Sequence, residues 1–315
     1  MLNEEFVDIA LDEYGQPIQP KNNKIALVDA DTIAFTACLA AEEEVMVLPE
    51  DFYHPNEWMD ILNDPTYDDE KGMYYEIDLN RAMIHATDKI DRILERTGCK
   101  DIELHFTTGK CFRYKLYSDY KANRIGGHTP TGLKDLKQML IDKYNGIAHE
   151  SIEADDYVVW AYNKYPEKYI CCAVDKDVLY SVKGKAFNYY ESGHHNIDMK
   201  WVDVDAKTVK YYPYVQCIAG DTSDNIFGPK GIGPKTMAKY FNGKPLPAKI
   251  KIKKPHEVIP YLKDGLTDKE LWSAVVKAYK AKKLTEADAY LNMCLINMHL
   301  LQDDGSIKLW RMPNE

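Results

Sequence analysis

Residues 24–29 read KIALVD and residues 169–175 read YICCAVD. Each is a short, unbroken apolar run that stops at an aspartate. A run with no polar alternation is the pattern of a strand covered on both faces, as in a parallel sheet. Between them the helical and extended periods alternate. Thr32 to Glu44 reads as a helix, and Leu79 to Arg96 as a second, through Met83, Ile84, Ile90, Ile93 and Leu94, stopping at Gly98. Ile102 to Phe106 is a further strand, Thr131 to Tyr144 a helix, Ile147 to Ile152 a short extended stretch and Asp155 to Tyr165 a helix. This alternation predicts an α/β fold, a mostly parallel central sheet flanked by helices. Right-handed crossovers then bring the strand C-termini to one edge, where sites of open α/β sheets lie.

The composition fits a folded chain. Of 315 residues, 45% are hydrophobic and 29% charged, enough for one large core or two small ones. No apolar run reaches the length of a membrane span, and Met1 to Glu5 lacks a basic secretory start, so no membrane partner is expected. Seven cysteines without a CxxC pair fit reduced thiols in a cytoplasm. The formal charge of −10 speaks against a generic DNA-coating protein but leaves local patches open.

The acids gather at the predicted strand ends. Asp29 ends the first strand; Glu153, Asp155 and Asp156 precede a helix; Asp175 and Asp177 follow the last strand; Asp221 and Asp224 share one helical turn. Each alone fits a helix N-cap. Together, so many carboxylates on one edge repel by several kcal/mol, on an order-of-magnitude Coulomb scale. Divalent cations remove that repulsion, and carboxylate oxygens with no His or Cys cluster select Mg²⁺ or Mn²⁺. A pair of such ions about 4 Å apart is the usual apparatus of phosphodiester hydrolysis.

Residues 220–241, GDTSDNIFGPKGIGPKTMAKYF, continue from the last acids into a glycine turn and a helix start at Pro234. Gly231 and Gly233 let the backbone approach a ligand, and a helix N-terminus there offers free N–H groups to an anion, with Lys230, Lys235 and Lys239 around it. From Ile226 to His256 there is no Asp or Glu and there are eight lysines, either a solvated face or a contact to a phosphate backbone.

LVDADTIAF, YSDYKANR, EADDYV, AVDKDVLY and GDTSDNIFGPKGIGPKTMAKYF occur in an order that resembles the flap endonuclease and 5′→3′ exonuclease family. The resemblance spans about residues 25–241. It is nearest to the bacteriophage 5′→3′ exonucleases and the 5′ nuclease domain of bacterial DNA polymerase I. It implies a PIN-like 5′ nuclease fold with a helical arch over about residues 110–130. It implies that Asp29, Glu153, Asp155, Asp156, Asp175, Asp177, Asp221 and Asp224 bind two Mg²⁺ or Mn²⁺ ions. Lys121 and Arg124 then match basic residues that grip the scissile phosphate, with Arg113 joining them in stabilising its charge. Lys230, Gly231, Gly233, Lys235, Thr236 and Lys239 fall in a helix–three-turn–helix, a helix-hairpin-helix element that holds double-stranded DNA and often carries K⁺. The implied substrates are DNA with a 5′ end or 5′ flap, or an RNA–DNA hybrid, in phage DNA replication within the host cytoplasm. The competing readings are an inactive DNA-binding homologue, which would lose the acids, and a PIN-type RNase, which normally lacks the glycine clamp.

One departure from the family stands out. Where another Asp usually follows the strand Leu104-His105-Phe106, this chain reads Thr107-Thr108-Gly109-Lys110. The expectation is a weaker metal position, or Thr108 acting through water. Tyr114, Tyr117 and Tyr120 either stack on unpaired bases or pack internally. The organisation expected is an arm over 1–23, an α/β nuclease core over 24–218, and a helical region over 219–315. In the last of these, Thr267 to Glu270 forms a capping box before a helix over 271–282, a further helix runs over 286–301, and Trp310 packs.

Overall fold

The structure, a computed structural model, describes residues 21–46 and 73–313. The expected N-terminal arm therefore lies almost wholly outside the described residues. So does most of the acidic segment 46–77, which the sequence leaves unassigned.

A six-stranded, mostly parallel sheet runs in the order β5-β4-β1-β6-β7-β8. Its strands are β1 (Ile25–Asp29), β4 (Asp101–Thr107), β5 (Ile147–His149), β6 (Tyr169–Ala173), β7 (Gly184–Asn188) and β8 (Lys200–Val204). β6 is buried at every residue, as its unbroken apolar run requires. β7 pairs parallel with β6 and antiparallel with the edge strand β8. A separate hairpin pairs β2 (Glu42–Met46) with β3 (Met73–Ile77).

Two compact units divide the chain. Of the described residues, the first holds 21–26, 30–46, 73–106 and 128–148. In it α1 (Asp31–Ala41), α2 (Leu79–Thr97) and α4 (Leu133–Tyr144) pack together. Asp78 caps α2, its side chain accepting from the N–H groups of Asn80 and Arg81. Two local expectations fail here. The first helix ends at Ala41, because Glu42 to Met46 leave it to pair with β3. On α2 the buried face runs through Ala82, Ala86, Ile90 and Ile93, whereas Ile84 is 59% exposed.

The second unit holds residues 27–29, 107–127 and everything from His149 onward. It contains α5 (Ala154–Lys164), α6 (Lys176–Leu179), α7 (Ala206–Ala219), α8 (Pro234–Asn242), α9 (Asp268–Lys280) and α10 (Glu286–Ile296). In one apolar cluster of this unit, Val215, Cys217 and Ile218 of α7 meet Met237 and Phe241 of α8 and Leu271 and Val275 of α9. Thr267 and Glu270 form the capping box ahead of α9. Trp310 packs on Trp272, ring centroids 4.7 Å apart. The seven cysteines are buried free thiols. Among the described residues no helix is long and apolar enough to cross a membrane.

Candidate metal centre

All eight acids singled out in the sequence lie in the second unit, and the fold sorts them into two groups. The first forms at the N-terminus of α5. Glu153 precedes the helix, and the Asp156 carboxylate accepts from the Glu153 N–H at 3.2 Å, closing the first turn. One oxygen each of Glu153, Asp155 and Asp156 lies within 4.8 Å of the others. Asp29, at the end of β1, adds its charge to Asp155. Asp224 joins through Tyr120, whose hydroxyl lies 2.8 Å from a Glu153 oxygen and 3.0 Å from an Asp224 oxygen and donates to one of them.

Arg113 sits beneath this group and is 1% exposed. Its guanidinium forks onto both oxygens of Asp156, at 2.6 and 2.7 Å, and reaches Glu153 at 3.0 Å. Its Nε donates to the Leu295 carbonyl at 2.7 Å. The expectation that Arg113 stabilises a phosphate is corrected by this placement, since burial and carboxylate bonds commit the fork inside the protein. Lys121 and Arg124 lie on the acids too. Lys121 Nζ donates to Glu153 and sits 3.8 Å from Asp224, while Arg124 donates to Asp224 at 2.5 Å. Lys121 has φ 57, which interrupts helix, and only Arg113–Leu116 (α3) and Ala122–Arg124 form single helical turns there. The arch expected over 110–130 is thus not one long helix between Lys110 and Gly127. Tyr120, 2% exposed and bonded to two acids, offers no face for a base, and Tyr114 packs edge-on against it at 5.2 Å.

The second group is Asp175, Asp177 and Asp221. Asp175 caps α6 by accepting the Asp177 N–H at 2.7 Å. Tyr212 donates its hydroxyl to Asp177 Oδ1. Asp221 opens a 3-10 turn, Thr222–Asp224, accepting the Ser223 N–H at 2.9 Å and Gln216 Nε2 at 3.2 Å. Lys176 bridges this group, its Nζ 2.7 Å from Asp221 Oδ2 and 3.4 Å from Asp177 Oδ2. Sequence reading missed Lys176 and Tyr212, and named Tyr120 only for base stacking or internal packing. The lysine at least stood in view between two acids.

The charges test whether this donor set fits divalent cations. Five acids of the first group (Asp29, Glu153, Asp155, Asp156, Asp224) face three bases, Arg113, Lys121 and Arg124. Three acids of the second face Lys176 alone. Among these named residues the acids outnumber the bases by two in each group. The protein shows the strain of that excess. Burial, then the neighbouring Glu153 and Asp156, pushes the Asp155 carboxyl well above its usual range. Burial and Asp175 push Asp177 up to about 7. Asp221 goes the other way, down to about 2, because Lys176 and Ser223 outweigh its burial. For Glu153, too, Lys121 and Arg113 overcome burial and lower it. Carboxylate oxygens suit a hard divalent ion, and those of Glu153, Asp155 and Asp156 converge closely enough to hold one.

Thr108 makes a bond outside both groups. It is exposed, and its hydroxyl donates to the His149 carbonyl at 3.2 Å. Thr107 instead accepts the Ala154 N–H at 3.0 Å at the start of α5.

Beyond the acids, β9 (Gly220–Asp221) and β10 (Ile226–Phe227) form a two-residue ribbon after α7, and a loop leads to α8. Gly233 is the N-cap of α8 and Pro234 its first residue. Gly231 has φ +76 and Gly233 does not. Lys230, Thr236 and Lys239 are exposed; Lys235 is half-buried and donates to the Ala248 carbonyl at 2.7 Å. The lysines at 244, 249, 251, 253 and 254 are all exposed.

No family model matches the chain. Among solved structures it resembles the 5′-exonuclease of bacteriophage T5 with bound zinc, at 16% identity and TM-score 0.50, over 88% of this chain and 90% of that one. It also matches a bacteriophage T5 flap endonuclease in a complex with DNA and metal ions (17%, TM-score 0.47, 69% and 81%). The catalytic core of Rad2 with DNA substrate matches at 12% and TM-score 0.41, over 89% and 96%. The last two superpose below 0.5 and add no weight. At its low identity the first carries the fold: the chain has the fold of the 5′ nucleases, the family its motifs resemble.

Proposed function

We propose that the chain is a divalent-metal-dependent 5′ nuclease that hydrolyses phosphodiester bonds of DNA at a 5′ end or 5′ flap. The observation that carries this reading is the convergence of Glu153, Asp155 and Asp156, one oxygen each within 4.8 Å of the others, on a 5′ nuclease fold. Asp29, Glu153, Asp155 and Asp224 would hold one ion, and Asp175, Asp177 and Asp221 a second. Mg²⁺ or Mn²⁺ bound there supplies charge stabilisation at the phosphate and acidifies water. Asp156 serves differently, as the carboxylate that seats Arg113.

The chain's own groups do the rest. Arg124, with 56% of its side chain exposed, is able to turn from Asp224 to a phosphate oxygen. Lys121 supplies a second positive charge at the same place. The start of α8 with Gly231, Gly233 and Thr236 presents N–H groups to the duplex backbone, flanked by Lys230, Lys235 and Lys239. Such contacts set position and not sequence. A K⁺ ion on the carbonyls of the 228–233 loop belongs to the same reading.

The test uses 5′-labelled duplex, 5′-flap and RNA-primed DNA, each with Mg²⁺, Mn²⁺ or chelator. Ion-dependent release of products from the 5′ end is expected. Tight duplex binding with no cleavage in either ion would replace the nuclease with a DNA-binding homologue.

A further inference from the structure

The acid groups contain two kinds of positive charge. Arg113 is buried, with its fork on Asp156 and its Nε on a carbonyl, and has no route out. Lys176 is different. Its ammonium joins carboxylates from two separate elements, Asp177 of α6 and Asp221 after α7. Its side chain is 38% exposed, which leaves the four-carbon stem a path to solvent. The two carboxylates do not depend on it for orientation. Tyr212 holds the other oxygen of Asp177, and Ser223 and Gln216 hold Asp221. An ammonium placed between two independently oriented carboxylates occupies the ground that a cation shared by them needs.

We propose that Lys176 is a displaceable place-holder for the divalent cation of the Asp175–Asp177–Asp221 group. Without the ion it neutralises the group; when the ion enters, the same oxygens change partner and the lysine moves out to solvent. Lys176 therefore stabilises the ion-free protein and raises the ion concentration needed to fill the site. A residue that merely braced the site would do the first and the reverse of the second. The inference rests on the metal-dependent reading above.

The test is titration of the full chain with Mn²⁺, without DNA, for wild type, Lys176→Met and Lys176→Arg, by calorimetry and by Mn²⁺ electron paramagnetic resonance. Thermal unfolding in chelator and in saturating Mn²⁺ accompanies it. Lys176→Met is expected to bind Mn²⁺ roughly fivefold tighter, the scale of one partly exposed ion pair. It should also melt below wild type in chelator, with the gap closing in Mn²⁺. Lys176→Arg keeps the charge and should stay near wild-type affinity. Equal or weaker Mn²⁺ binding by Lys176→Met overturns the place-holder, as does a variant that fails to fold even in saturating Mn²⁺. If wild type itself binds no Mn²⁺, the metal reading falls and takes the place-holder with it; if wild type binds and the variant gains nothing, only the place-holder falls.

Discussion

Replacing Arg113 with methionine separates a buried anchor from a phosphate-binding arginine. The guanidinium is 1% exposed and makes three charge-assisted bonds to Asp156 and Glu153, themselves 1% and 7% exposed. Methionine fills much of the volume but leaves Asp156 without its cation in a dry setting, while Glu153 keeps Lys121 and Tyr120. Breaking a buried pair from one side costs about 3–5 kcal/mol. A domain is stable by about 5–15 kcal/mol, so the variant should lose about a fifth or more of its margin. Urea unfolding followed by circular dichroism in chelator reads this directly, as a lower midpoint at an unchanged slope. Adding Asp156→Leu should recover about half of the loss or more, since apolar replacement of both partners is often near neutral. Full recovery is not expected, because Asp156 also accepts the Glu153 N–H at the helix start. A stable Arg113→Met protein, within about 1 kcal/mol of wild type but dead in cleavage, would refute the anchor and return Arg113 to the phosphate.

Three further outcomes are expected. Asp177→Ala should abolish cleavage while duplex affinity stays within several-fold of wild type, because backbone contacts supply most of the affinity; near-normal turnover in Mg²⁺ removes Asp177 from the ion site. Gly231→Ala should cost about 1 kcal/mol of stability through its φ of +76, whereas at Gly233, where a Cβ would meet nothing within 4 Å, alanine should leave the fold intact and weaken only duplex binding. Equal melting temperatures for the two variants would contradict the backbone reading. His256, stacked on Tyr180 at 4.3 Å, is held down at about 4, by burial first and then by Lys254 and Lys176. A folded value below the unfolded one means stability is full above about pH 6.5 and is lost as pH falls toward 4. His256→Phe should flatten that acid limb of the melting curve, and an unchanged limb rules His256 out as its cause.

The parts of this fold legible in the sequence are those whose signal is local. β6 announces itself because five successive apolar residues have only one common use, and Thr267 with Glu270 because a capping box needs four residues. β2 was hidden, since Glu42, Glu43 and Glu44 carry little strand preference and take that form through a partner thirty residues away. β7 and β8 were missed for the same reason, being short and polar at their ends. At the site, Asp29 and Asp175 were legible as acids closing apolar strand runs. Partnerships were not: Arg113 finds Asp156 across 43 residues, and Tyr212 finds Asp177 across 35, from inside a helix with an internal proline. Charge alone makes Arg113 and Arg124 equivalent in a sequence; only burial tells the anchor from the exposed group.

The two acid groups are not independent, because one short turn feeds both. Asp221 belongs to the second group and Asp224 to the first, and the 3-10 turn Thr222–Asp224 fixes their separation. That turn is closed by the β9–β10 ribbon, where Ile226 pairs with Asp221 and Phe227 with Gly220. Gly220 has φ +73, and a Cβ there would lie 2.4 Å from the Gly228 nitrogen and 2.6 Å from the Ile226 oxygen, both backbone atoms that cannot yield cheaply. Gly220→Ala should therefore open the ribbon and shift both acids together, at a cost of about 1–3 kcal/mol for the strained backbone. The signature that distinguishes this from loss of a single ligand is in Mn²⁺ titration: both binding events should weaken, whereas Asp221→Asn should weaken one far more than the other. If Gly220→Ala left one ion at wild-type affinity, the turn would not be what couples the two groups, and their spacing would have to be set by the strand ends alone.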